Sequence, residues 1–206
     1  IYTLSLHDAL PISSWMNFQN KTLQIYLVRH GESWGNKKQV VYGNTDYTLT
    51  DLGIKQAEKV AKKLSIVPFH CCYTSTLQRA YRTAKIALDG RDVPIIQNEN
   101  LNEQFFGIYE NQKISFEPQG DCFETAVNRF VRGPIPEGEL FEQMAERVID
   151  FVQNILREGE NNLIVAHNGP LGVLTAAILG FSLDEAHRFS YRQDRKSTRL
   201  NSSHPA

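Results

Sequence analysis

The amino-acid sequence predicts a three-layer α/β/α sandwich with a mostly parallel sheet. Short runs rich in β-branched and aromatic residues alternate with segments whose apolar residues recur at helical spacing. This alternation is typical of parallel sheets, because a helix that covers one face of the sheet joins each strand to the next. The chain shows neither an internal repeat nor a shift in composition between two halves, so we expect one domain.

Each predicted element has a local signal. Strands are predicted at residues 23–28, 69–73, 93–96 and 162–166. Thr50 can cap a helix that Pro68 stops, and Pro170 suits the first turn of a helix that ends near Leu179. Further helices are predicted at residues 76–88 and 141–156. Residues 111–138 are predicted to be irregular, because they contain three prolines: Pro118, Pro134 and Pro136.

Composition excludes several classes of protein. The chain has 206 residues, of which 41% are hydrophobic and 22% charged, which suits a globular domain with a core of its own. A net charge of −1 argues against a nucleic-acid partner and against a polybasic membrane anchor. The three cysteines, two of them adjacent, are a poor disulfide framework. They favour a reduced cytoplasmic location.

The two ends of the chain do not continue the patterns of its interior. We expect residues 1–15 to be a non-native leader and residues 194–206 a non-native tail, because both resemble translated adaptor sequence. The predicted domain therefore occupies residues 16–193, with Met16 as a plausible natural start and a truncated C-terminus.

Three predicted strands carry chemically useful side chains at their carboxyl ends. Arg29 and His30 follow the first strand, Arg79 lies in the turn after the second, and His167 follows the last. Ligands of open α/β sheets bind at this edge. The predicted helix N-termini after Ser75 and Asn168 would add backbone N–H donors that favour a phosphate.

Each of these residues also has a structural interpretation. An isolated Arg-His-Gly is weak evidence, Glu32 and Glu103 can be simple turn acids, and Arg82 fits a solvated helix surface. Cys71 and Cys72 fit the core, and no Cys or His stands at metal-ligand spacing. We expect the remaining histidines to be structural: His7, His70, His187 and His204. These residues nevertheless belong to four motifs that follow one another along the chain, around His30, Arg79, Glu103 and His167. Four motifs in this order at strand-to-helix junctions favour a phosphoryl-transfer site.

The chain resembles the histidine phosphatase (phosphoglycerate mutase-like) superfamily, in its small phosphatase branch. The resemblance covers residues 23–193, although Leu140 stands where the family commonly has Ser. The matching motifs are Arg29-His30-Gly31-Glu32-Ser33 with Asn36, Ser75-Thr76-Leu77-Gln78-Arg79-Ala80, Leu101-Asn102-Glu103 with Phe106-Gly107 and Glu110, and Ala166-His167-Asn168-Gly169.

This resemblance implies a role for each matched residue. His30 would attack phosphorus and form a phosphohistidine. Glu103 would protonate the leaving oxygen and later deprotonate the attacking water. Arg29, Arg79 and His167 would supply the positive charge that the transition state needs. They would also bind the phosphate, together with Asn36 and Asn168. No metal and no cofactor are implied, since protein cations supply the charge.

The resemblance leaves three functions open. A metal-independent phosphatase is favoured over a phosphoglycerate mutase for two reasons. Without its two predicted non-native ends, the chain is shorter than the mutases, and residues 104–110 look like the phosphatase form of the motif that follows Glu103. A catalytically dead scaffold of the same fold is the third. The expected partner is a small phosphorylated metabolite, with oligomeric state left open. The aromatic residues Phe105, Phe106, Tyr109 and Phe116 would line its pocket or pack in the core.

Overall fold

A five-stranded sheet forms the centre of the molecule in a computed structural model that describes residues 2–5, 24–113, 123–155 and 161–191. The strand order is β1-β2-β5-β3-β4. Four strands are parallel, and β1 pairs with β2 in the antiparallel sense. The strands are β1 (Tyr2–Ser5), β2 (Gln24–Arg29), β3 (Cys71–Thr74), β4 (Ile95–Gln97) and β5 (Asn161–Ala166).

Helices lie between and after the parallel strands. They are α1 (Trp34–Lys38), α2 (Asp51–Leu64), α3 (Gln78–Ala87), α4 (Phe123–Arg132), α5 (Phe141–Ile155) and α6 (Asn168–Ile178). Short 3₁₀ segments occupy Glu99–Leu101, Gly107–Tyr109 and Leu183–Arg188. Among the described helices, none is both long enough and apolar enough to cross a bilayer.

Two hydrophobic cores lie on opposite faces of the sheet. Side chains alternate along each strand, so Ile25 and Leu27 of β2 face α5 and α6, whereas Val28 faces α2 and α3. On β5, Ile164 belongs to the first core and Leu163 to the second. Helices cover both faces, which confirms the predicted three-layer α/β/α fold.

The predicted helices and strands are present with small shifts at their ends. Thr50 caps α2, as predicted, by accepting a hydrogen bond from the backbone N–H of Gly53 at 3.1 Å. Cys71 and Cys72 are buried in the two cores, and Arg82 is exposed, as expected. His70 and His187 are also exposed, whereas His7 and His204 lie outside the described residues.

Two helices, α1 and α4, were not predicted from the sequence. The segment at residues 111–138 contains α4, because the prolines delimit a stretch in which Val127, Phe130 and Val131 keep helical spacing. The loop after His30 contains α1, a five-residue helix that Ser33 and Asn36 cap reciprocally. A helix of five residues is too short to leave a periodic pattern in the sequence. Pro118 and Phe116 lie outside the described residues.

The predicted leader contains the edge strand β1. Its backbone pairs with β2, with Tyr2 opposite Leu27 and Ser5 opposite Gln24. The assignment of residues 1–15 and 194–206 as non-native stays a prediction, and the tail lies outside the described residues. A cytoplasmic location likewise stays a prediction from cysteine usage.

Candidate active site

His30 lies directly after β2, and its backbone N–H donates to the carbonyl of Ala166 at 3.0 Å. The imidazole is 3% exposed, and Nδ1 lies 2.7 Å from the carbonyl oxygen of Gly31. A carbonyl only accepts hydrogen bonds, so Nδ1 carries the proton. The lone pair of the neutral ring is therefore on Nε2, the atom that would act as nucleophile.

The surroundings of His30 favour the neutral ring. Burial lowers its pKa well below the ordinary value of 6.5, and the positive charges of Arg29 and Arg79 lower it further. The hydrogen bond to the Gly31 carbonyl opposes this shift but is the smallest of the four contributions. A histidine that stays unprotonated near neutral pH keeps its nucleophilic lone pair.

His167 lies at the end of β5, beside His30. The two rings are 5.0 Å apart between centroids, and Nε2 of His167 lies 2.7 Å from the hydroxyl of Ser75. Its Nδ1 is buried and has no hydrogen-bond partner among the described residues. Burial lowers the pKa of His167 well below 6.5, with further lowering from Arg79 and His30. Burial therefore disfavours a positive charge on the ring, and the expectation that His167 supplies such a charge stays a prediction.

Arg79 is the most completely buried charge of the site. The side chain has no exposed surface, and its guanidinium donates to the carbonyl oxygens of Gly43 at 2.6 Å and Thr45 at 3.0 Å. It also stacks 4.7 Å from the ring centroid of Tyr42. Its Nε is buried without a partner among the described residues. Burial lowers the pKa of Arg79, but from so high a value that the group stays charged.

Glu110 organises the loop that holds Arg79. Its carboxylate accepts from the backbone N–H groups of Gly43 at 2.7 Å, Asn44 at 3.2 Å and Thr45 at 3.0 Å. Each N–H group that is bound in this way helps to fix the loop whose carbonyls receive Arg79. Gly43 is required here, because a Cβ would lie 1.7 Å from the carbonyl oxygen of Gln104. The sequence identified Glu110 only as a motif match, without this role.

Glu103 reaches from its loop to the start of α6. One carboxyl oxygen accepts from the backbone N–H of Gln104 at 3.1 Å, and the other accepts from that of Gly169 at 3.4 Å. Burial raises the pKa of Glu103, while the two backbone N–H groups and the nearby Arg79 and Arg29 partly oppose this. Gly169 leaves room for the carboxyl, since a Cβ there would lie 2.4 Å from it.

Three residues that are predicted to bind phosphate form hydrogen bonds within the protein. Arg29 donates to the carbonyl oxygen of Tyr191 at 2.5 Å, and the side-chain oxygen of Asn168 accepts from the N–H of Tyr191 at 2.7 Å. The side-chain oxygen of Asn36 accepts from the N–H of Ser33 at 3.0 Å. The positive charge of Arg29 lowers the pKa values of His30 and Glu103, while its contact with a phosphate stays a prediction. Contact of Asn36 and Asn168 with a phosphate stays a prediction.

Tyr42 is a site residue that the sequence did not reveal. Its hydroxyl lies 2.6 Å from that of Ser33, and its ring supports Arg79. Burial raises its pKa, so the hydroxyl keeps its proton. Gly35 makes room for the ring, because a Cβ there would lie 2.6 Å from it. The only sequence signal was an aromatic residue directly before Gly43.

Two of the aromatic residues near Glu103, Phe106 and Tyr109, pack against Phe130 of α4. Phe106 is 9% exposed and stacks on Phe130 with ring centroids 5.9 Å apart. The ring centroid of Tyr109 lies 5.3 Å from that of Phe130. Of the two alternatives, core packing therefore describes Phe106. Among the described residues, no cluster of three or more His, Cys, Asp and Glu side chains could hold a metal.

The chain belongs to the histidine phosphatase superfamily. The sequence model of that superfamily (branch 1) matches residues 25–204, most of the chain. This match confirms the resemblance carried by the four motifs. Membership and the names of relatives indicate an enzyme of the phosphatase or mutase type.

Relatives of the chain include both types. A Hydrogenobacter thermophilus protein, named provisionally as phosphoserine phosphatase 2, is 32% identical over 78% of this chain and 81% of its own length. A probable phosphoglycerate mutase, GpmB of Erwinia tasmaniensis, is 33% identical over 82% of this chain and 81% of its own length. The solved α-ribazole phosphatase of Shigella flexneri aligns with a TM-score of 0.71 at 29% identity, covering 82% of this chain and 86% of that one.

We expect the folded protein to lose stability in acid because His30 and His167 are buried. Because their folded-state pKa values lie below 6.5, the unfolded chain binds more protons as the pH falls below about 6.5. The free energy of unfolding should therefore fall with pH from there, by up to about 1.4 kcal/mol per pH unit for each histidine. Urea unfolding between pH 5 and 8 measures this slope.

A His30→Gln, His167→Gln double variant is the comparison for this slope. Glu103, whose raised pKa acts in the opposite direction, is present in both proteins. The difference between their slopes therefore isolates the histidines. Equal slopes would show that the histidines are not held neutral in the folded protein.

Proposed function

We propose that the protein is a metal-independent phosphomonoester hydrolase that acts on a small phosphorylated metabolite through a phosphohistidine intermediate. The observation that carries the proposal is the state of His30: its Nδ1 is 2.7 Å from a backbone carbonyl, and burial and two arginines keep the ring neutral. A neutral imidazole beside fixed cations suits attack on a phosphate, since the cations that draw the anion in also favour the nucleophilic form.

In the first proposed step, the Nε2 lone pair of His30 attacks phosphorus. The phosphorus–ester oxygen bond breaks, and the departing oxygen takes a proton from Glu103. Burial raises the pKa of Glu103, which favours the protonated form required for this step. The guanidinium groups of Arg29 and Arg79 would offset the charge of the transferred phosphoryl group.

In the second proposed step, water attacks the phosphorus of the phosphohistidine. Glu103, now a carboxylate, accepts a proton from the water as the phosphorus–nitrogen bond breaks. Orthophosphate leaves, and His30 returns to its neutral form. His167 lies 5.0 Å from His30, and a phosphate dianion beside its ring would raise its pKa and allow it to donate a hydrogen bond.

The second candidate is a phosphoglycerate mutase, which GpmB of Erwinia tasmaniensis supports at 33% identity. A mutase and a phosphatase share the phosphorylation of histidine and differ in what accepts the phosphoryl group. The phosphatase is favoured because the α-ribazole phosphatase of Shigella flexneri shares the fold over 82% of this chain with a TM-score of 0.71. A catalytically dead scaffold is the third candidate.

Phosphate release from a substrate panel in the presence of EDTA tests the proposal. The panel contains p-nitrophenyl phosphate, sugar phosphates, phosphoserine, α-ribazole 5′-phosphate, and 3-phosphoglycerate with catalytic 2,3-bisphosphoglycerate. We expect EDTA-resistant phosphate release from one or more monoesters. Interconversion of phosphoglycerates without phosphate release would identify a mutase. A folded protein that is inactive on the whole panel would favour the dead scaffold.

A further inference from the structure

Arg147 of α5 holds the loop that carries Glu103. Its Nη1 donates to the carbonyl oxygens of Asn100 and Asn102, both at 2.8 Å. Its Nη2 donates to the carbonyl oxygen of Glu103 itself at 3.2 Å. Three carbonyls within four residues of the loop therefore converge on one guanidinium group.

The remaining donors of Arg147 bind Glu139. Nε lies 2.6 Å from one carboxylate oxygen and Nη2 lies 2.8 Å from the other. A guanidinium group has five N–H bonds, and each of them has a distinct acceptor here. The pair is largely shielded from water, with side-chain exposures of 21% and 19%. This arrangement fixes the orientation of the guanidinium plane, and with it the carbonyl positions.

Glu139 also binds the residues that follow Glu103. Its carboxylate accepts from the backbone N–H of Phe105 at 3.2 Å, and its own N–H donates to the Phe105 carbonyl at 2.8 Å. Its carbonyl oxygen accepts from the side chain of Gln104 at 2.9 Å. Arg147 and Glu139 together therefore hold the backbone on both sides of Glu103.

We infer that Arg147 and Glu139 are positioning residues for Glu103, acting on its backbone so that the carboxyl group stays where the leaving oxygen of the substrate departs. The inference rests on the proposed function. A carboxyl group reaches only as far as its backbone allows, and a displacement of about 1 Å can cost roughly 10²-fold in rate. The carboxyl group of Glu103 is itself held by two backbone N–H groups, those of Gln104 at 3.1 Å and Gly169 at 3.4 Å, and the second of these bonds is long.

Lysine cannot replace arginine in this role. Arg147→Lys keeps the positive charge but offers three donors on a flexible stem instead of five in a rigid plane. Glu139→Gln keeps the shape of the acid but replaces an acceptor oxygen with a donor. Either variant should loosen the loop while His30, Arg29 and Arg79 stay unchanged.

The leaving group distinguishes positioning of the acid from general damage. A sugar alkoxide needs a proton in order to leave, whereas p-nitrophenolate leaves without one. We expect Arg147→Lys to lower kcat/KM for a sugar phosphate by about 10–100-fold and that for p-nitrophenyl phosphate by less than about threefold. Glu139→Gln should act in the same direction, and serves as the second variant if the first folds poorly.

Arg132→Lys and Glu142→Gln are the matched controls. Arg132 also binds carboxylates, Glu142 at 3.4 Å and Asp184 at 2.7 Å, together with the carbonyl of Leu183 at 3.0 Å, but none of these belongs to the Glu103 loop. The ratio of the two kcat/KM values should stay unchanged in both controls. Combining Arg147→Lys with Glu103→Gln should add little to Glu103→Gln alone, since both act on one proton transfer.

The outcomes separate this inference from the function on which it rests. An equal loss on both substrates, or no loss on either, would overturn the positioning role while Glu103→Gln still showed leaving-group dependence. A full additional loss in the double variant would overturn it as well. Absence of any phosphate release from the wild type would overturn the proposed function, and this inference with it.

Discussion

Replacing His30 with alanine should lower kcat for phosphomonoester hydrolysis by at least about 10⁴-fold. The proposed reaction splits one displacement into two through a nitrogen–phosphorus bond, and alanine offers no atom to form it. Direct attack by water would have to replace both steps. Arg29 and Arg79 would still bind the phosphate, so KM should change far less than kcat.

His70→Ala is the matched control for this loss. His70 is exposed and lies just before β3, whereas His30 lies just after β2, at the opposite edge of the parallel sheet. Quenching with alkaline detergent during turnover of a radiolabelled substrate should trap phosphate on the wild type and on His70→Ala, but not on His30→Ala, because a phosphohistidine is stable in alkali and labile in acid. Labelling or turnover by His30→Ala at the wild-type level would exclude His30 as the nucleophile.

The residues that the sequence located correctly are those attached to regular elements. His30 and His167 follow apolar strands that are parallel neighbours, so a sequence pattern for each strand places both rings at one edge of the sheet. Thr50 was likewise predictable, because a helix cap is a local feature that involves three or four residues. Local patterns specify these positions before any tertiary contact is considered.

The residues that the sequence did not reveal act across long distances in the chain. Glu110 binds a loop 65–67 residues earlier, and Arg147 binds carbonyls 44–47 residues earlier. These hydrogen bonds involve backbone N–H and carbonyl groups. Because almost every residue has such groups, the sequence does not show which of them will be bound. The burial of His167, which lowers its pKa, was not predicted for a related reason, because burial depends on the packing of the whole domain.

Replacing Glu103 with glutamine should lower kcat/KM for a sugar phosphate by roughly 10²–10⁴-fold, with a much smaller effect on p-nitrophenyl phosphate. Glutamine preserves the size of the side chain but cannot give up a proton to the leaving alkoxide. Glu142→Gln removes an exposed carboxylate of α5 and should leave both substrates unaffected. Equal losses on both substrates in Glu103→Gln would remove the residue from the role of general acid.

The pH dependence of the wild type provides an independent test of the same role. Burial raises the pKa of Glu103 above 4.5, so kcat/KM for a sugar phosphate should fall as the pH rises through that raised value and the acid loses its proton. Burial lowers the pKa of His30, so the acid limb of the profile should lie below 6.5, where the ring becomes protonated. Glu103→Gln should remove the alkaline limb and keep the acid limb, because the two limbs belong to different residues. An alkaline limb that persisted in Glu103→Gln would assign that proton to another group.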